Sequence, residues 1–197
     1  MSSLRAVLVR ALDDLQGRSV PHAIIGGLAV SARVEPRMTR DVDVAVAAKS
    51  DAEAEQTVFA LQGLGYTVHS VVEQTGTARL ATARLLPPGA NAAGVVVDLL
   101  FASSGIEPEL VAAAEPLEIV RNTVAPVATV GHLIALKLLA TSDERPQDAA
   151  DLVRLVSVAT EREIERAAVA VRTIEERGFA RGRDLRAALR ELLATGG

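Results

Sequence analysis

Two aspartates, Asp41 and Asp43, have the type and spacing to bind a metal ion. They lie in residues 24–48, IIGGLAVSARVEPRMTRDVDVAVAA, where one apolar run ends in Gly26 and Gly27 and another begins at the aspartates. Residues two apart on a strand point to the same face, roughly 7 Å apart, and paired carboxylates form an oxygen-rich site suited to Mg²⁺. A glycine pair that opens a helix presents backbone N–H groups to an anion. The sequence therefore predicts a site for a metal ion and a triphosphate.

A third carboxylate, Asp98, lies inside the strongest predicted strand, residues 95–101, VVVDLLF. A carboxylate in such an apolar strand is costly to ionise, and it either caps a neighbouring loop or joins the first pair. A divalent cation would hold three clustered carboxylates ionised together. We favour the interpretation in which Asp98 joins the Asp41–Asp43 pair. The neighbours of that pair are also apolar, whereas an ordinary solvent-facing pair has polar neighbours.

Lys137 is one of only two lysines among 21 basic residues, and it lies inside the apolar run LIALKLLA at residues 133–140. A charge there needs a partner, so Lys137 either extends along the helix to solvent or neutralises phosphate oxygens. Asp148 and Asp151 follow in the first turn of a predicted helix, where the helix dipole alone favours carboxylates. A functional role is therefore open for both, and we favour Asp148.

Composition excludes several classes of protein. The chain has 197 residues, 49% of them hydrophobic, with a net charge of −4 and no cysteine, which excludes disulfides, thiolate metal sites and a generally basic nucleic-acid binder. The N-terminal segment is too short and too charged for a signal peptide, and no apolar run approaches the roughly 18 residues of a membrane span. We therefore expect a soluble cytoplasmic protein.

Hydrophobic periodicity predicts an α/β (α+β) organisation in two lobes, residues 1–125 and 126–197. The first lobe should contain strands and helices in alternation, and the second should be helical. The predicted strands are 22–25, 41–47, 66–72, 78–86 and 95–101, with short extended pieces over 118–127. The predicted helices are 4–17, 28–34, 51–61, 130–140, 146–159, 161–176 and 183–194. Residues 87–94, PPGANAAG, are typical of a turn.

The motifs resemble those of the nucleotidyltransferase superfamily. Residues 26–46, GGLAVSARVEPRMTRDVDVAV, resemble its signature in the form GG-x-A…R-x-T-x-D-[IV]-D, and VVVDLLFA resembles its third-carboxylate strand. Residues 131–152, GHLIALKLLATSDERPQDAADL, are similar to the lysine helix and the R-P-x-D-x-x-D segment of the AbiEii-like toxin branch. Within that branch, the mycobacterial MenT toxins form the most similar subgroup. Gly27 replaces a serine that is frequent elsewhere in the superfamily, but the toxin branch shares this glycine.

The resemblance implies a polymerase-β-like nucleotidyltransferase fold with a small mixed sheet, flanking helices and a helical C-terminal lobe. It also implies transfer of a pyrimidine nucleotide from an NTP to the 3′ end of tRNA, which blocks aminoacylation and translation. Two Mg²⁺ ions and a cognate antitoxin, which can be kinase-like, belong to the same expectation. The remaining alternatives are an antibiotic-modifying enzyme, an enzyme that nucleotidylates a protein hydroxyl, and an inactive binding module.

The resemblance assigns a role to each candidate residue. Asp41, Asp43 and Asp98 would hold the metal ions. Gly26, Gly27, Arg37, Thr39 and Lys137 would bind the NTP. Asp148 would orient Lys137 or contact the nucleotide. The expected catalytic residues are Asp41, Asp43, Asp98, Lys137 and Asp148.

Thr39 is also the expected site of regulatory phosphorylation, because the resemblance implies an antitoxin that phosphorylates a hydroxyl at this position. A phosphate adds about −1.5 to −2 charges beside the triphosphate site, where it would occupy the anion site and repel NTP. We expect phosphorylated Thr39 to abolish transfer, Thr39→Glu to impair it strongly and Thr39→Ala to impair it less. Nucleotide transfer and NTP binding by stoichiometrically phosphorylated protein provide the measurement, and unchanged values for both would contradict the prediction.

Overall fold

The computed structural model describes residues 4–89, 94–141 and 146–195. Within these ranges the chain forms eight helices and one mixed sheet of seven strands. The strands are β1 His22–Ile24, β2 Val42–Val46, β3 Thr67–Gln74, β4 Arg79–Leu86, β5 Val97–Leu100, β6 Glu115–Val120 and β7 Thr123–Val127. The helices are α1 Leu4–Gln16, α2 Gly26–Arg33, α3 Asp51–Gln62, α4 Glu107–Ala112, α5 Val130–Ala140, α6 Pro146–Val158, α7 Glu161–Glu176 and α8 Leu185–Thr195.

Three neighbouring strands, β4, β5 and β2, bring charged residues into one row across the sheet. The strand order is β3-β4-β5-β2-β1-β7-β6. β2 and β5 are parallel and place Asp43 beside Asp98, while β4 and β5 are antiparallel and place Arg84 on the other side of Asp98. Directly opposed residues on paired strands share a face. Arg84, Asp98 and Asp43 therefore project from the same face of the sheet.

Apolar residues on the opposite face fix this orientation. Val42 and Val44 alternate with Asp43 along β2, and neither has any exposed surface. Leu99, which follows Asp98 on β5, is also fully buried. A register slip by one residue would exchange these valines with the aspartate. Burial of the apolar face therefore keeps the carboxylates on the face that carries the cavity described below.

Helix α5 is the centre of the helical half of the molecule. Its residues are apolar nearly all round, as is typical of a helix packed on several sides, and it packs against α2, α6, α7 and α8. Leu133 and Ile134 are at most 1% exposed. The contact with α2, which follows β1 directly, joins these helices to the sheet. The side chain of Lys137 is 12% exposed, so the helix carries its lysine in a largely buried position.

Helix starts follow the expected capping chemistry. Ser50 precedes α3 and its hydroxyl accepts a hydrogen bond from the Glu53 amide at 3.3 Å. Thr160 precedes α7 and accepts from the Glu163 amide at 3.3 Å. Such caps satisfy backbone donors that have no partner within the helix. The predicted boundary at Ser50 is confirmed, as are the bounds of α5 and α7.

The mixed α/β organisation is confirmed, with differences in detail. β2 begins at Val42, so Asp41 lies just before the strand instead of on it, and β5 spans Val97–Leu100 instead of 95–101. The sequence analysis missed α4, a six-residue helix that begins with Glu107 and Pro108, because so short a segment shows no helical period. α2 begins at Gly26 instead of Leu28, so both glycines belong to its first turn. β6 and β7 form a hairpin that starts at Glu115, whereas the expected extended pieces started at residue 118.

The lobe boundary at residue 125 stays a prediction, and β7 runs across it. Residues 90–93 of the predicted turn at 87–94 lie outside the described residues. Arg145 of the R-P-x-D-x-x-D segment also lies outside them. In the part of the chain that the structure describes, no helix has the length and apolar character needed to cross a membrane.

Candidate active site

All of the residues that the sequence predicted to act together line one cavity of about 710 Å³. It lies between the charged row of the sheet and helices α5 and α6. The predicted residues on its wall are Gly26, Gly27, Arg37, Thr39, Asp41, Asp43, Asp98, Lys137 and Asp148. The structure thus brings these side chains together from both halves of the chain, while the role of each stays a prediction.

Asp98 lies close enough to Asp41 and Asp43 to raise the pKa of both. The pKa of Asp43 rises from 3.8 to about 6, first because burial removes water from the carboxylate and then because Asp98 and Asp41 repel its charge. Burial and the charge of Asp98 also raise the pKa of Asp41. Like charges and desolvation both disfavour the ionised form. The cluster is therefore electrostatically suited to a bound cation.

Arg84 supplies the positive charge that the sequence analysis did not foresee. Its Nε donates to Oδ1 of Asp98 at 2.8 Å, and its terminal nitrogen donates to Oδ2 at 2.7 Å. This hydrogen-bonded pair raises the pKa of Arg84. An arginine flanked by alanine and leucine inside a predicted strand is a visible signal, but its partner depends on the register of β4 with β5.

The carboxylates do not form a finished metal cage as they stand. Over residues 4–89, 94–141 and 146–195, no group of three or more histidine, aspartate or glutamate side chains is arranged to hold a metal ion. Both oxygens of Asp98 accept hydrogen bonds from Arg84. The donor chemistry nevertheless fits a hard cation, since carboxylate oxygens are the ligands that Mg²⁺ prefers and two of the three carboxylates have raised pKa values.

Gly26 and Gly27 allow two other segments to approach α2 closely. Gly26 has φ +62°, and a Cβ there would lie 2.1 Å from Oδ2 of Asp43. A Cβ on Gly27 would lie 2.6 Å from the Thr39 hydroxyl oxygen and 2.9 Å from the Arg37 guanidinium. The Gly27 amide donates a hydrogen bond to the Asp43 carboxylate, which acts to lower the pKa of Asp43. The sequence analysis expected this amide to face a phosphate, and here it already has an acceptor.

A cluster of alternating charges forms the opposite wall. Nζ of Lys137 lies 2.5 Å from Oδ1 of Asp148 and 2.8 Å from Oδ2 of Asp151. The guanidinium of Arg37 reaches the same Asp151 oxygen at 2.9 Å. Asp151 is fully buried; burial acts to raise its pKa, but the hydrogen bond and charge of Lys137 hold it below the ordinary value. Lys137 is therefore ion-paired, and extension to solvent does not describe it.

Asp148 and Asp151 occupy different positions relative to the cavity. Asp148 lines the cavity, and its Oδ2 is buried without a hydrogen-bond partner among the described residues. Nε of Arg37 is likewise buried without a hydrogen-bond partner among the described residues. Asp151 lies behind them and binds both cations. Asp148 can therefore contact a ligand, while Asp151 positions Lys137 and Arg37.

The loop after β5 closes the cavity at a third side. Ser103 and Ser104 line it, and their backbone amides donate to Oε1 of buried Glu107 at 2.9 and 2.7 Å. Arg181, from the loop before α8, donates to the carbonyl oxygen of Ser103 at 3.1 Å. The sequence analysis missed these residues, because they carry no motif and meet only in the folded chain.

Comparisons with known proteins agree with this geometry. A family model described as "Nucleotidyl transferase AbiEii toxin, Type IV TA system" matches residues 10–196. No curated protein sequence matches the chain significantly.

Several solved structures match the chain at low sequence identity. An antigenic nucleotidyltransferase-like protein from Paracoccidioides brasiliensis is 18% identical, with a TM-score of 0.52 over 95% of this chain and 92% of that one. The lincosamide antibiotic adenylyltransferase LnuA, bound to lincomycin, is 14% identical, with a TM-score of 0.49 over 77% and 96% of the two chains. The toxin MenT4 from Mycobacterium tuberculosis is 15% identical, with a TM-score of 0.41 over 97% and 92%. Of these three scores the first alone exceeds 0.5, and it supports the expected polymerase-β-like fold.

The raised pKa of Asp43 predicts a pH-dependent stability in metal-free buffer. The folded-state value of about 6 exceeds the ordinary 3.8, so the native state retains the proton longer than the unfolded chain. The ionised carboxylate therefore lowers the stability of the fold by its full amount above pH 6. Well below pH 3.8 it has no such effect, because the group is protonated in both the folded and the unfolded state. We expect Asp43→Asn to raise the free energy of unfolding by about 1–2 kcal/mol at pH 8 and by much less at pH 4.5.

Chemical denaturation with a chelator at both pH values measures this difference. Asp13→Asn, on the exposed face of α1, is the control and should change stability equally little at both. An Asp43→Asn protein that is no more stable than wild type at pH 8 would contradict the prediction.

The buried ion pairs of Asp151 predict a large stability loss in Asp151→Asn. Removing this charge leaves Lys137 and Arg37 partly buried with one remaining carboxylate, Asp148, so we expect a loss of about 3 kcal/mol. Asp51→Asn, which breaks a half-exposed pair with Arg79, should cost under about 1 kcal/mol. Urea unfolding measures both variants, and similar losses would show that the buried cluster does not stabilise the fold in this way.

Proposed function

The chain belongs to the AbiEii family of nucleotidyltransferase toxins, and from this premise we propose that it transfers a pyrimidine nucleotide from an NTP to the 3′ end of a tRNA. The observation that carries the proposal is the cavity with three carboxylates on one wall and Lys137 on the other. The acceptor and the base rest on the resemblance of the R-x-T-x-D-x-D and R-P-x-D-x-x-D segments to MenT-type toxins. An extended 3′ end would block aminoacylation and translation, which places the proposed activity in the cytoplasm.

In the proposed reaction the sheet wall receives the metal ions. Asp41 and Asp43 would hold two Mg²⁺ ions, and Asp98 would complete the second of these sites. Such ions offset the charge of the triphosphate and lower the pKa of the acceptor hydroxyl. The acceptor oxygen then bonds to the α-phosphorus as the bond to pyrophosphate breaks, and no covalent intermediate with the enzyme is required.

The helical wall would act on the phosphates. Lys137 is a flexible point charge whose Nζ is held at 2.5 Å from Asp148, and it would neutralise the charge that develops on the leaving pyrophosphate. Arg37 and Thr39 lie beside the glycine turn, and Gly26 and Gly27 would form the floor of the proposed phosphate site. Asp148 and Arg37 both line the cavity, so their side chains would provide an acceptor and a donor for the nucleotide.

The family description includes a type IV toxin–antitoxin system, which implies a cognate antitoxin. We propose that this antitoxin is kinase-like and acts on Thr39. Thr39 is partly exposed and lines the cavity, so a kinase could reach its side chain, and a phosphate there would lie beside the proposed triphosphate site.

The proposed activity predicts the outcome of a transfer assay with purified protein. Incubation with Mg²⁺, total tRNA and each of four α-labelled NTPs should label tRNA from CTP or UTP, as read on a denaturing gel. Asp41→Ala should abolish labelling while the protein stays folded, and Asp51→Ala, an aspartate outside the cavity, should keep it. Parallel reactions without tRNA, and with aminoglycoside or lincosamide antibiotics, test the other acceptor classes. Label on a drug or on protein instead of tRNA would overturn the proposed acceptor, and full activity of Asp41→Ala would overturn the proposed site.

A further inference from the structure

Arg84, Asp98 and Asp43 form one charged row across the sheet. Of these three residues, Arg84 is the one to which the proposed function gives no role. It lies on β4 directly opposite Asp98. Its guanidinium engages both oxygens of that carboxylate, at 2.8 and 2.7 Å. This two-bond geometry is the strongest form of arginine–carboxylate pairing. Asp98 therefore has a positively charged partner before any metal ion arrives.

The two side chains differ in their freedom to separate. The Arg84 side chain is 42% exposed, whereas that of Asp98 is 9% exposed. A buried carboxylate cannot move away, but a long, half-exposed arginine can turn into the cavity that both residues line. Exchange of partners at Asp98 therefore requires movement of Arg84 alone.

Charge balance explains why a partner is present. Asp41, Asp43 and Asp98 face one another, and without a cation their repulsion would destabilise the fold. The guanidinium faces all three, so it offsets this repulsion from one side. A divalent cation at the same carboxylates would do so more completely. The guanidinium and the cation thus compete for the same negative charge.

We propose that Arg84 is a built-in counter-ion of Asp98 that a divalent cation must displace, so that Arg84 weakens metal binding in the absence of nucleotide. The inference rests on the proposed function, since it takes the three aspartates as the metal site. Arg84 is in this account a positioning residue. It keeps Asp98 ordered in the metal-free protein and sets the concentration of divalent cation at which the third carboxylate becomes a ligand.

Binding of Mn²⁺ without NTP, measured by isothermal titration calorimetry, tests the proposal independently of catalysis. The proteins are wild type, Arg84→Met, Asp98→Asn and the double variant, with Arg79→Met as the matched control. Arg79 lies on the same strand, but its partner is Asp51, outside the cavity. We expect Arg84→Met to bind Mn²⁺ about tenfold more tightly or better, and Arg79→Met to bind as wild type does.

The double variant separates displacement from a general change of charge. If Arg84 acts through Asp98, Arg84→Met should raise Mn²⁺ affinity much less when Asp98 is already Asn. Arg84→Met should also melt at a lower temperature than wild type in a chelator, and saturating Mn²⁺ should remove that difference. Arg84→Lys, which keeps the charge but loses the two-bond fork, should bind Mn²⁺ with intermediate affinity and serves if Arg84→Met is poorly folded.

Three outcomes would overturn the inference, and each can be told apart from the other two. If wild type and Arg84→Met bind Mn²⁺ equally tightly, or if the Met variant binds more weakly, Arg84 is not a competing counter-ion and the proposed metal site stands. If none of the proteins binds Mn²⁺ while wild type still transfers nucleotide, the carboxylates are not a metal site in the absence of NTP, and the counter-ion role is wrong. If Mn²⁺ binding and transfer are both missing, the proposed function fails with it.

Discussion

A fully buried carboxylate has to be neutralised where it lies, and Asp151 on α6 is neutralised by cations from two distant parts of the chain. Lys137 reaches it from α5, and Arg37 reaches it from the segment between α2 and β2. Docking of the three segments is therefore what pairs these charges. The segment that carries Arg37 also carries Thr39 and leads into Asp41. The positions of these cavity residues on the sheet side therefore depend on the charge of Asp151, which is buried among the helices.

The two walls of the cavity differ in how completely their charges are balanced. On the helical wall two cations and two carboxylates alternate within 2.5 to 2.9 Å of one another. On the sheet wall the guanidinium of Arg84 faces three carboxylates, and burial and repulsion raise the pKa of Asp43 to about 6. A cation is therefore favoured on the sheet side. The helical side can offer a positive charge to a phosphate only by loosening an existing ion pair.

Sequence reasoning succeeded where one local pattern determines the outcome. The apolar alternation around Asp43 predicts which way its side chain points, and the motif residues do gather at one cavity. The bounds of α5 and α7 follow from their periodicity and caps. The AbiEii resemblance is confirmed by a match over nearly the whole chain.

The features that sequence reasoning missed depend on contacts between distant segments. Arg84 meets Asp98 because β4 and β5 pair in one register out of several that the apolar pattern allows. The amide of Gly27 looked available for a phosphate, but the fold brings Asp43 to it. Asp151 looked like a dipole-favoured residue in the first turns of a helix, and its burial became visible only once α5 and the segment carrying Arg37 were in place.

The cavity takes one wall from residues 26–104 and the other chiefly from residues 133–148, with Asp151 behind it. Ribosomes make proteins from the N-terminus, so a nascent chain that ends before α5 already carries all three carboxylates but lacks Lys137 and its partners. The lysine wall is added only when the C-terminal helices have left the exit tunnel and packed. The division of the site along the chain thus delays its assembly until the helices that follow residue 130 have been made. For a toxin proposed to act on translation, a nascent chain that still lacks those helices cannot become active.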